Sequence, residues 1–121
     1  MELLLKLQFD TIYHEHFSYL SLHVVKKLFD SCDLKIFDVE RIGTHGGSLR
    51  IYGCHHVLDQ AISPSVHEIL ELEVKNGLLN LNAYVNFKNK VRYIKFNLIE
   101  YLIFNKKNGK KFADLGLQQK E

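Results

Sequence analysis

The stretch "FDTIYHEHFSYLSL", residues 9–22, gathers Tyr13, His14, Glu15, His16, Phe17 and Tyr19. An imidazole is the side chain best matched to proton transfer near neutral pH. A carboxylate beside it can orient the ring and raise its basicity. His14, Glu15 and His16 supply these ingredients. On an extended backbone His14 and His16 share a side while Glu15 faces away, so a Glu15–His16 contact requires a turn. A packed aromatic turn holding hydrogen-bonded polar groups is the competing reading of the same residues.

Metal binding is a third reading. His-Glu-His lacks the i, i+4 histidine pair of the zinc helix motif, and His55-His56 are adjacent. A distributed site would have to combine His14, His16 and His45, and no metal is assigned. Cys32 and Cys54 do not form a nucleophilic pair with a histidine by spacing. Cys32 falls on an apolar helix face, where a buried inert thiol is expected, and Cys54 closes a strand.

"THGGSLR", 44–50, is the second unusual segment. Paired glycines let the backbone approach another group closely or adopt positive φ. The segment reads either as a plain hairpin turn or as a loop edging a ligand pocket, with Thr44 and His45 as its polar contacts. "GTHGG", 43–47, is not a dinucleotide fingerprint, because it joins two strands and lacks the spacing.

These segments must be held by the elements around them. Residues 1–8 carry a short apolar stretch, Leu3 to Leu5, without clear periodicity, and 9–20 read as a loop with one irregular turn. Ser21 can cap a helix over 22–32, with Leu22, Val25, Leu28, Phe29 and Cys32 on one apolar face. "KIFDVERI", 35–42, alternates, with Ile36, Asp38 and Glu40 on one side and Phe37, Val39 and Arg41 on the other. "SLRIYGC", 48–54, alternates again, so the two runs and the glycine-rich loop read as an antiparallel hairpin. Ser63-Pro64 opens a second helix that Gly77 can stop, with Val66, Ile69, Leu70, Leu72 and Val74 apolar. A third helix covers 81–107. Tyr84, Phe87, Val91, Ile94, Leu98 and Tyr101 form a narrow seam along it. Such a helix is about 40 Å long, more than a hairpin and two short helices can cover, so the seam calls for a partner. "KKFADLG", 110–116, can open one more strand.

Composition limits the function classes. The 121 residues are enough for one small domain. Apolar content of 46% and charged content of 25% are ordinary for a globular protein. A formal charge of +2 argues against a dedicated nucleic-acid binder. Lys106, Lys107, Lys110 and Lys111 gather where a helix dipole favours cations. Two cysteines without paired spacing suggest a reducing compartment. Glu2 and Lys6 interrupt the apolar start, and no apolar run is long enough to span a bilayer. The expectation is a soluble cytoplasmic protein with no membrane contact.

"FDTIYHEHFSYLSL", then a helix, then "KIFDVERIGTHGGSLRIYG", strongly resembles the bacterial sugar C-methyltransferase family, which uses S-adenosylmethionine on nucleotide-linked keto-deoxysugars. The match is specific over about residues 8–53 and looser to "KNGKK". Family members look like three-part proteins: a cysteine-rich zinc domain, a Rossmann-like donor domain and a C-terminal α/β domain. The resemblance implies an α/β fold. Residues 1–58 would be the C-terminal part of the methyltransferase domain, with its last core helix and closing antiparallel hairpin. Residues 59–121 would be a helical connection and the start of the C-terminal domain. It also implies roles: His16 as the base that removes a proton beside the sugar ketone, Tyr13 and Glu15 positioning sugar or base, and His14 shaping the pocket. The family's zinc-domain cysteine pairs and acidic-Gly-x-Gly donor loop are not found, so the chain reads as a fragment that is inactive alone and does not hold S-adenosylmethionine tightly. Two alternatives stand beside it: one part of a split or dimeric methyltransferase, or a non-enzymatic interaction module using the helix at 81–107.

Overall fold

Ser21 starts the first helix of the core. Its hydroxyl accepts from the Val24 amide at 3.3 Å, and its carbonyl accepts from Val25. The computed structural model describes residues 2–8, 12–43 and 46–112. In chain order these form α1 (Glu2–Lys6), α2 (Leu22–Ser31), β1 (Leu34–Ile42), β2 (Ser48–His55), α3 (Pro64–Lys75) and α4 (Leu81–Lys107). The fold is mixed α/β. Its described strands make one antiparallel pair, β1 with β2. The helices and strands thus fall where periodicity and turn chemistry place them. The short α1 is the exception, being too brief for a periodic signal.

The core lies among α2, α3 and the hairpin. Leu22, Ile36, Val39, Val66 and Ile69 are buried together, with Val25, Phe29, Leu49, Ile51 and Leu70 packed around them. Ile36 and Val39 cannot share a face under strict alternation, and here the structure corrects the sequence reading. Ile36 pairs with Gly53 and Asp38 with Tyr52, leaving Phe37 as an extra residue, a β-bulge. The bulge resets the alternation, so Val39 turns inward beside Ile36. It also frees the Phe37 carbonyl, which accepts from Ser63 N at 2.8 Å. Asp38 Oδ1 accepts from Val39 N and from the Ser65 hydroxyl, tying β1 to the start of α3. The Ser65 hydroxyl, then the Val39 amide, then Ser63 hold the Asp38 carboxyl below the ordinary aspartate range.

Expectations on α2 and α3 are corrected as well. Cys32 is exposed, because α2 ends at Ser31 and Asp33 turns the chain with φ 56°, taking residue 32 off the apolar face. Leu28, at the margin of the same stripe, is also exposed. On α3, Val74 is 54% exposed while Glu73 is completely buried. At 100° per residue, position 73 falls almost in line with 66, whereas 74 sits at the edge of the stripe. The α4 seam is only partly covered, as its length leads one to expect: Phe87, Val91 and Ile94 are half-buried, while Tyr84, Leu98 and Tyr101 are exposed. Among the described elements α4 packs chiefly on α1. Lys110 to Phe112 carry no regular structure, and the rest of "KKFADLG" lies outside the described residues.

Gly53 shows how closely α2 lies on the hairpin. A Cβ there would come 2.2 Å from Phe29 Cε1, so only glycine admits the ring.

Candidate functional site

The Tyr-His-Glu-His segment makes a turn closed by His16 N to Tyr13 O at 3.0 Å. The turn puts the Tyr13 and His16 rings 4.1 Å apart at 39°. Tyr19 approaches His16 from another side, ring centroids 6.0 Å apart at 70°. His16 is the half-buried member of this set, while Tyr13, His14, Glu15 and Tyr19 are exposed. His14 stands edge-on to Tyr13 at 6.4 Å.

A half-open cleft of about 1060 Å³ lies beside the turn. His16 and Tyr19 line it from the turn, Leu49 and Ile51 from β2, and Tyr84 and Phe87 from α4. This mixture of an apolar lining and a few polar groups is what small-molecule clefts share. Tyr13, His14 and Glu15 do not line it; Tyr13 reaches it only through its stacking on His16. Thr44 and His45 lie outside the described residues. Their neighbours Gly46 and Gly47 do line the cleft, with φ of 77° and 112°. A Cβ at Gly46 would come 2.8 Å from the Gln8 side chain, and one at Gly47 would come 2.9 Å from Glu2 Cγ. The paired glycines thus provide both the positive φ and the close approach expected of them.

Glu2, Lys6 and Arg41 bring charge to the cleft. The hydrogen bond from Lys6, aided by its charge and that of Arg41, lowers the Glu2 carboxyl below the ordinary glutamate range.

Deeper in the cleft lies Glu73, which sequence reasoning missed. Its Oε1 accepts from Leu22 N at 2.7 Å, and its Oε2 accepts from His23 N at 3.0 Å. The His23 ring places Nδ1 2.8 Å from the same Oε2. A helix leaves its first amides without partners, and here Glu73 takes the first two and Ser21 the third. The carboxylate also sits at the positive end of the α2 dipole. The signal was in the sequence: an acidic residue in the middle of the 66–69–70 stripe must find a partner or stay out of the core.

Among the described residues no three His, Cys, Asp or Glu side chains converge as a metal site would require, and His45 lies outside those residues. Among the described residues no helix is long and apolar enough to cross a membrane.

A family model described as the C-methyltransferase C-terminal domain matches residues 43–120. C-methyltransferase NovU of Streptomyces niveus is 34% identical over 120 residues, 99% of this chain and 29% of the relative's length. The chain therefore spans less than a third of that curated relative. The described residues do not fit a methyl-donor site. The segments leading into α2 and α3 contain no glycine-rich loop, the glycines at 43–47 join two strands, and the first amides of α2 are already taken. With the family model covering most of the chain and the relative matching nearly all of it, this protein belongs to the C-methyltransferase family.

Proposed function

We propose that this chain supplies the base-bearing wall of an S-adenosylmethionine-dependent C-methyltransferase acting on a nucleotide-linked keto-deoxysugar. The observation that carries the reading is His16, half-buried between two tyrosine rings at the edge of a cleft large enough for a sugar. A ketone acidifies the neighbouring C–H, and a neutral imidazole can take that proton while the bonding pair moves into the enolate. The enolate carbon is then the nucleophile for the methyl group. Contact with the Tyr13 face and the Tyr19 edge restrains the plane of the His16 ring, and so the direction in which its nitrogens point. Glu15 and His14, exposed on the same turn, would meet the sugar or the rest of the enzyme, with Thr44 and His45 contacting substrate from the glycine-rich loop.

In this reading residues 1–58 close a Rossmann-like donor domain and 59–121 lead into the C-terminal domain, all in a cytoplasmic enzyme. The donor is held by parts of the enzyme outside this chain, and the chain alone is inactive, since sugar and methyl donor must be held together at reacting distance. The exposed face of α4, with Phe96, Tyr101 and Phe104, is where those parts or a second copy would dock.

A hybrid tests the reading. This chain is placed in NovU in exchange for the stretch it matches, and methyl transfer to a nucleotide-linked keto-deoxysugar is followed. The hybrid should be active, and His16→Ala in it should lose at least about a hundredfold in turnover. Solvent deuterium should enter the sugar α-carbon with the parent hybrid and not with the variant. Unchanged turnover in His16→Ala would remove the imidazole from the reaction.

A further inference from the structure

We propose that Glu73 is a positioning residue for His16, acting through the start of α2; the inference rests on the reading of His16 as the base. Glu73 is completely buried and belongs to α3, yet among the described residues its side chain bonds to Leu22 and His23, at the start of α2. Its two oxygens grip two consecutive amides, Leu22 N and His23 N. A two-point grip by a charged acceptor fixes orientation as well as position. Leu22, 1% exposed in the core, sets how deep the helix start sits. Glu73 sets how that start is rotated, and so the direction in which the backbone leaves it toward the turn.

Four residues, 17–20, join His16 to Ser21. Between the turn and the helix, Phe17, Ser18, Tyr19 and Leu20 are all exposed, and Phe17 is 95% so. Ser21 is extended, with φ −85° and ψ 161°. Over so few residues, a change in the direction of the helix start displaces what precedes it. The Tyr19 ring, against which His16 rests, sits on this connection. Both His16 and Glu73 line the same cleft, so the grip and the ring it orients bound one space. The His23 ring, held on Glu73 Oε2, limits the carboxylate's own freedom to rotate. Glu73 does not reach a substrate atom in this scheme; it determines where the base stands.

The test is NMR on the full chain with labelled histidine and tyrosine. Glu73→Gln keeps the shape but exchanges one acceptor oxygen for a donor and removes the charge. The Leu22 and His23 amides should then exchange with solvent at least about tenfold faster. The nuclear Overhauser contact between the His16 and Tyr19 rings should weaken or vanish, while the β1–β2 amide shifts remain. Val66→Ala is the control: it hollows the same core without touching the grip, so it should lower the melting temperature and leave the His16–Tyr19 contact intact. Should Glu73→Gln fail to fold, His23→Ala removes the brace on the carboxylate and should shift the His16 ring resonances in the folded chain. A His16–Tyr19 contact that survives Glu73→Gln, or that Val66→Ala loosens equally, overturns the proposal. With Glu73→Gln unfolded, unmoved His16 resonances in His23→Ala overturn it too. These outcomes are separate from the function of His16, which the hybrid reads: an active His16→Ala hybrid ends the reading of the base even if the grip is real.

Discussion

α3 and α4 follow each other in sequence and both carry apolar residues at helical spacing, yet they end in opposite environments. α3 buries Val66 and Ile69 against β1 and α2. α4 leaves Tyr101 at 60% and Phe104 at 67% exposure and, among the described elements, packs chiefly on the five-residue α1. The spacing says which residues of a helix share a face. It does not say that a surface exists to cover that face. A stripe is buried only where the chain brings another apolar surface to it, and the hairpin does this for α3 because the bulge at Phe37 turns Val39 toward it.

The same substitution on the two helices makes the contrast measurable. Ile69→Ala empties a site in the core and should cost about 3 kcal/mol in urea unfolding. A loss under about 1 kcal/mol would mean that the core collapses around the gap and that α3 is less tightly placed than its contacts indicate. Gly53→Ala should come next, at about 2 kcal/mol, because its methyl would meet the Phe29 ring. Restoration of stability in Gly53→Ala with Phe29→Leu would confirm that the collision with this ring is the cause.

Asp38 sharpens the comparison from the side of pH, since it joins the hairpin to α3. Its folded carboxyl titrates below the ordinary aspartate value, so the unfolded chain binds the proton first. Its stabilisation is therefore complete above about pH 4 and is lost as the pH falls through the folded value. The stability difference between the native chain and Asp38→Asn should shrink as the pH is lowered from about 6 to about 3. A difference constant over that range would mean that the Ser65 hydrogen bond does not depend on the charge. The smallest effect should be Ile103→Ala on α4, under about 0.5 kcal/mol, because this residue is 51% exposed. A loss as large as that of Ile69→Ala would show that the α4 face is covered in solution, and the contrast with α3 would fail.

Much of the fold was legible because its signals are local. Ser21 accepts from its own third helical residue, Ser63-Pro64 opens α3 and the 43–47 glycines separate two strands; each needs only neighbours in sequence. A Glu15–His16 contact requires a turn in Tyr-His-Glu-His; the turn forms, and it lays His16 against Tyr13. The bulge was not legible, because an extra residue in β1 exists only relative to its partner strand. Cys32 leaves the apolar face that spacing assigns it because Asp33, in the left-handed region, ends the helix one residue early.

From α2 onward the sequence by itself determined the element order and the helix starts, and it determined the family, because caps, periods and motifs are written in adjacent residues. The tertiary structure alone decided that Glu73 reaches across 51 positions to Leu22, and that Val39, set inward by the bulge, joins Ile69 in the core. The physical reason is common to both. A buried carboxylate and a buried apolar face each need a partner, and the partner's identity depends on how the chain returns on itself, which no local spacing encodes.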